Sequence, residues 1–178
     1  MTRIVALVVL CVLVPTVSAF AQNASRLDLS GGYALVQDRR IDESLHGWSA
    51  SAAFYLTRWL GVAAEIDSSH ASQSVLGTDL ELANRALVAG PRIAVWRSSR
   101  VAPFAHVLVG TVRASASILG QSDAVTDSGV QVGGGVDLAV GARARIRFAG
   151  DFRRVLGNHK GDQLRAAVGL VVPFGRFP

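Results

Sequence analysis

From residue 163 to 174 the chain alternates. Leu164, Ala166, Val168, Leu170, Val172 and Phe174 share one parity, and Gln163, Arg165, Ala167, Gly169 and Val171 share the other, with Pro173 at the end. A period of two over this length is a strand with two unlike environments. The same period recurs upstream. The pattern predicts strands at 26–36, 47–56, 59–68, about 84–96, 101–114, 130–140 and 145–153. In the first, Leu27, Leu29, Tyr33 and Leu35 oppose Asp28, Ser30, Gly32 and Ala34. In the sixth, Val130, Val132, Val136 and Leu138 oppose Gln131, Gly133, Gly135 and Asp137. Pro91 removes a ladder donor inside the fourth strand, which predicts a bulge there.

The connections alternate too. Polar segments at 37–46, 69–83 and 115–128 read as long loops, and 156–162 carries Gly and Asn turn signals. Between them, 57–58, 97–100 and 141–142 read as tight turns. Eight strands joined in this way predict an all-β fold, an eight-stranded antiparallel up-and-down transmembrane β-barrel. Short turns lie on the periplasmic side and longer loops outside. In lipid every backbone group must pair within the protein, so a spanning sheet has to close. The continuous Leu, Val, Ile and Phe faces would meet hydrocarbon, and the small faces would fit a narrow lumen.

This parity sends ionisable groups inward. Asp28, Glu65, Asp67, Asp137 and Asp151 are the acids; Arg92, Arg145, Arg147, Arg153 and Arg165 are the bases. Unpaired ions in a low-dielectric interior are costly, so pairing is required. The hairpin geometry pairs Asp137 with Arg145 or Arg147, and adjacency of strands pairs Glu65 with Arg92. Asp67, Arg153 and Arg165 are placed at the solvated strand ends. The expectation is a lumen closed by ion pairs. Trp59 and Trp96 fall beside tight turns and Trp48 at the opposite rim, where aromatic rings favour the headgroup boundary. The outer loops carry Asp38, Asp42, Glu43, Asp79, Glu81, Asp123, Asp127 and Asp162 with fewer bases.

Composition adds restrictions. A chain of 178 residues is one domain's length. Its formal charge of +5 comes almost wholly from scattered Arg, with Lys160 the sole Lys, so no clustered nucleic-acid patch exists. The N-terminus reads as a secretory signal peptide over 1–21, leaving the barrel domain as 22–178. Arg3 gives the positive end, 4–14 the apolar run, and Ala19-Phe20-Ala21 the cleavage pattern. Cys11, the single cysteine, lies in that segment, so the mature chain carries no disulfide or thiol chemistry.

The segments LDLSGGYALV, GPRIAV, PFAHVLVG, QVGGGVDLAV and AAVGLVVPFG resemble the OmpA/OmpX-type small outer-membrane β-barrel family. The resemblance covers nearly all the mature chain and implies integral outer-membrane placement in a Gram-negative envelope. It also implies insertion by an assembly machine that reads the last strand, with Leu170, Val172 and Phe174 as the signal. GRFP after Phe174 departs from a terminal aromatic; Phe177 breaks the alternation, which favours Phe174.

The chemistry-bearing residues are sparse. His70-Ala71-Ser72 has the His-x-Ser spacing of outer-membrane lipid A deacylases, with Glu81 as a conceivable orienting acid, but the surrounding sequence does not match. His46, His70 and His159 fall in predicted loops as isolated histidines, and His106 points inward as a satisfied lumen residue. No cofactor or metal is implied. The reading is a non-enzymatic, monomeric barrel whose partners are membrane lipids, the assembly machinery and an unidentified extracellular molecule. The alternative from another class is a soluble periplasmic barrel that binds an apolar ligand, because alternation alone does not label inside and outside.

Overall fold

The computed structural model describes residues 25–39, 43–75, 78–118, 121–141, 143–157 and 161–175. The signal-peptide segment, Asp42, His159, Lys160 and Phe177 lie outside them. Eight strands form one closed antiparallel barrel in sequence order. They are β1 (Leu27–Asp38), β2 (Glu43–Tyr55), β3 (Leu60–Val75), β4 (Thr78–Ala94), β5 (Val101–Ile118), β6 (Gln121–Ala139), β7 (Arg145–Leu156) and β8 (Gly161–Phe174). β1 and β8 close the sheet from Leu27↔Phe174 to Asp38↔Gln163.

The register fixes the shape. Leu27 pairs with Phe54, Phe54 with Val62 and Val62 with Pro91. In the same register Val107 pairs with Val132, Val132 with Phe152, Phe152 with Leu164, and Leu164 with Gln37. One circuit therefore returns to β1 ten residues above its start, which in eight strands means a tilt of about 40° and a lumen that side chains can fill.

Bulky apolar residues line the outward face of every strand, while Tyr55, Val88, Phe104 and Leu108 form a small apolar cluster inside. Leu29, Phe54, Val62, Leu87, Val109, Val132, Phe148 and Leu170 are all exposed, while Arg92, Gln131, Arg153 and Gln163 are among the most buried side chains. This is the inverse of a soluble protein's core and suits a lipid solvent.

The polar segments behave differently from the loops expected of them. β1 continues to Asp38, β2 begins at Glu43, β3 continues to Val75 facing Thr78 of β4, and β5 continues to Ile118 facing Gln121 of β6. Beyond the hydrocarbon a strand's outer face no longer has to be apolar, yet its ladder hydrogen bonds still stabilise it. β3 to β6 are 16 to 19 residues long against 12 to 14 for β1, β2, β7 and β8. One wall of the barrel thus rises above the other. The β2–β3 ladder ends at His46↔His70 while β3 runs on by five residues, about 15 Å along the strand.

At the opposite end the turns are tight. The Thr57 hydroxyl accepts from the Leu60 N–H at 2.9 Å, which holds the β2–β3 turn. In the β4–β5 turn Trp96 has φ of 52° and is exposed, left-handed backbone that a bulky residue rarely adopts. Pro91 produces no bulge. Ala89↔Val109 and Arg92↔His106 belong to one unbroken register, and the ladder to β5 is merely interrupted at Gly90 and Pro91.

Candidate functional site

Inward side chains form a continuous polar column. At the periplasmic end Arg97, from the β4–β5 turn, folds back into the barrel. Its Nη2 donates to Ser25 O at 2.7 Å and to Asp28 Oδ2 at 3.2 Å, and its guanidinium lies 3.3 Å from the Tyr55 ring centroid. Arg145 donates to the Arg97 carbonyl.

Above this, Arg147 grips Asp137 with both arms: Nε to Oδ1 at 2.7 Å and Nη2 to Oδ2 at 2.9 Å. Its remaining Nη1 donates to the hydroxyls of Ser30 and Ser51 at 3.1 and 3.2 Å. Arg92 lies over the Phe104 ring at 3.7 Å and stands 3.9 Å from Asp137.

The next level crosses the lumen. Arg165 donates to Asp151 and lies 3.2 Å from Glu65; His106 Nε2 bonds Asp151 at 2.8 Å. Gln131 donates to Glu65 at 3.0 Å and accepts from Arg153, which also holds Asp67 through two bonds at 3.1 and 2.7 Å. At the outer end Gln163 donates to Asp38 at 3.0 Å and accepts from Asn84 at 3.3 Å.

A cavity of about 20 Å³ lies beside Arg92, Glu65, His106 and Arg165, room for a water molecule or two. Among the described residues no group of three or more His, Cys, Asp or Glu is arranged to hold a metal.

Several sequence expectations are corrected by these distances. Arg92 sits with Asp137, not with Glu65, because Arg165 on β8 reaches Glu65 across the lumen. Of the two candidates for Asp137, Arg147 takes it and Arg145 turns down to the Arg97 carbonyl. Asp67, Arg153 and Arg165 are deeply buried, not solvated at the strand ends, and Asp38 is buried too. Arg97, Tyr55, Gln131, Gln163 and Asn84 were missed. The signal for Gln131 and Gln163 was their inward parity; Arg97 offered none, since a turn residue has no parity. His46 and His70 are on strands, directly opposite each other and exposed. Ser72 is in register with Glu81, but their side chains lie outside the described ones. Trp48, Trp59 and Trp96 are all outward and at least half exposed, at the two ends of the apolar band.

Residues 7–173 match the family model described as outer membrane protein beta-barrel domain. The chain belongs to this family. It is an integral outer-membrane barrel, so the apolar outward face meets lipid and the polar column fills the lumen. The soluble-barrel alternative would need the opposite assignment. No curated protein matches the chain closely enough to count as a relative. The fold is shared with Neisserial surface protein A, at 20% identity and TM-score 0.66, with 85% of this chain and 99% of that one covered. It is shared with the Ail protein of Yersinia pestis, solved with the heparin analogue sucrose octasulfate, at 15% identity and TM-score 0.65 over 85% and 99% of the two chains. OprG of Pseudomonas aeruginosa aligns at 11% identity and TM-score 0.56 over 89% and 100%.

Proposed function

We propose that this barrel acts at the cell surface as a non-conducting, non-enzymatic interaction protein. The observation that carries the reading is the combination of a filled lumen with an outer wall of long hairpins. A lumen crossed by the Arg147–Asp137, Arg165–Glu65 and Arg153–Asp67 pairs leaves no continuous water path. The β3–β4 and β5–β6 hairpins rise well past their neighbours and are the natural place for an extracellular partner. A polysulfated glycan of the kind solved with the Ail barrel is the first partner class to assay. Purified protein in planar bilayers should give no steady single-channel current; a stable open level would overturn the non-conducting reading.

Biogenesis forms part of the same proposal. Residues 1–21 direct export, the mature barrel is a monomer, and Leu170, Val172 and Phe174 are read by the outer-membrane assembly machinery. Phe174 ends β8, faces outward and pairs with Leu27 of β1, so it sits at the seam where the barrel closes. Phe174→Ala should reduce the heat-modifiable species in isolated outer membranes and leave unfolded chain in the periplasm. Phe177→Ala should leave the yield unchanged. Equal yields for both variants would remove Phe174 from this role.

A further inference from the structure

Arg85 on β4 and Arg113 on β5 are direct register partners. Both are exposed and outward, each on the outer side of the apolar run of its strand: Leu87, Ala89 and Ile93 follow Arg85, and Val107 and Val109 come before Arg113 with Thr111 between. Like charges directly opposite each other on a sheet repel and destabilise it. Among the described residues nothing nearby relieves them. Their other register partners are Ser68 and Thr126, not acids. Among the described residues neither makes an ion pair, whereas the outward Arg154 at the comparable end of β7 has Asp162 at 3.9 Å.

The same transition marks the height of the pair. Outward apolar residues give way to Gln37 on β1, His46 on β2, Ser68 on β3, Ser128 on β6 and Arg154 on β7. Together with Arg85 and Arg113 these positions form a collar on the outer side of the band, at the depth of lipid headgroups. Two forked guanidiniums side by side suit the several oxygens of a phosphate better than a single carboxylate.

We infer that Arg85 and Arg113 form a clamp for the phosphate of a phosphorylated glycolipid headgroup in the outer leaflet, of the lipid A class. The anion turns a repulsive pair into a bridged one, and the acyl chains of the same molecule lie down the Leu87 and Val109 surface. The clamp adds a bound lipid to a surface-interaction protein. It rests only on the outer-membrane placement, which a heat-shifted band in fractionated membranes checks separately.

The test uses the whole mature barrel in phosphatidylcholine nanodiscs carrying a few mole per cent of lipid A, either bis-phosphorylated or phosphate-free. Lipid retained by the barrel is read by native mass spectrometry. The wild type should enrich the bis-phosphorylated form by about tenfold over the phosphate-free form, from two cations at the headgroup level. R85A/R113A should abolish the preference, R85K/R113K should restore part of it, and R154A should keep it. Both arginines are exposed, so each variant should retain its heat-modifiable gel shift, which confirms that the barrel is closed. Equal retention of the two lipids, or an undiminished preference in R85A/R113A, would overturn the clamp. Loss of the preference in millimolar inorganic phosphate would show that the site takes free phosphate and would overturn its assignment to a lipid.

Discussion

Asp137→Ala should lower the unfolding free energy of the barrel in lipid vesicles by about 3–5 kcal/mol, the cost of leaving a buried charge uncompensated. Asp137 is shared by two buried guanidiniums, Arg147 with two hydrogen bonds and Arg92 at 3.9 Å. Both lie against the Phe104 ring, at 4.8 and 3.7 Å. Without the carboxylate, two cations face each other beside serine hydroxyls and an aromatic ring. A surface pair would cost under about 1 kcal/mol, so the size of the loss reports the dryness of the lumen.

Urea titration of the tryptophan signal measures the loss directly. Asp137→Ala combined with Arg147→Leu should recover part of it, since the Arg147–Asp137 pair is then deleted whole while Arg92 is left without its carboxylate. The same double variant removes the guanidinium that spans to Ser30 and Ser51, and it should permit a current larger than that of the wild type, for which none is expected. Full stability in the single variant would mean that water already fills this level.

What the sequence made legible follows from what alternation encodes. Period two fixes which residues share a face, so Val132, Val136 and Leu138 were readable as one surface and Gln131, Gly133 and Asp137 as the other. Closure was readable as well, because a spanning sheet leaves no edge unpaired in lipid. Alternation does not encode which inward residues meet. Glu65 and Arg165 are on β3 and β8, far apart around the wall, and they touch because the lumen is narrow enough for an arginine to cross it. Finding that contact needs the ten-residue register offset, which no single strand carries. Strand ends were misread for a related reason. The segment 69–83 loses its apolar face where lipid stops, but its backbone pairing continues from Ser69↔Asn84 to Val75↔Thr78. Polarity marked the edge of the membrane, not the edge of the sheet.

The three-glycine run of β6 shows the same limit at closer range. Its parity placed Gly133 inward, and only the register explains why it has no side chain. Gly133 pairs with His106 of β5 on one side and with Asp151 of β7 on the other. These two residues bond to each other at 2.8 Å, so their bond passes directly over Gly133. A Cβ built there would sit 2.0 Å from Asp151 Oδ1 and 2.6 Å from Gly150 O. Gly133→Ala must therefore push the Asp151 carboxylate aside, and that carboxylate also receives Arg165. The loss should be about 2–4 kcal/mol, the combined cost of an unmade buried hydrogen bond and a weakened buried ion pair. Gly150→Ala is the control: it lies opposite the neighbouring Gly134, faces outward, and an added Cβ meets nothing within 4 Å. It should change the urea midpoint little. His106→Ala in the Gly133→Ala background should then cost less than His106→Ala alone, because the bond it removes is already broken. Strict additivity of the two losses would show that the His106–Asp151 bond does not depend on the glycine beneath it.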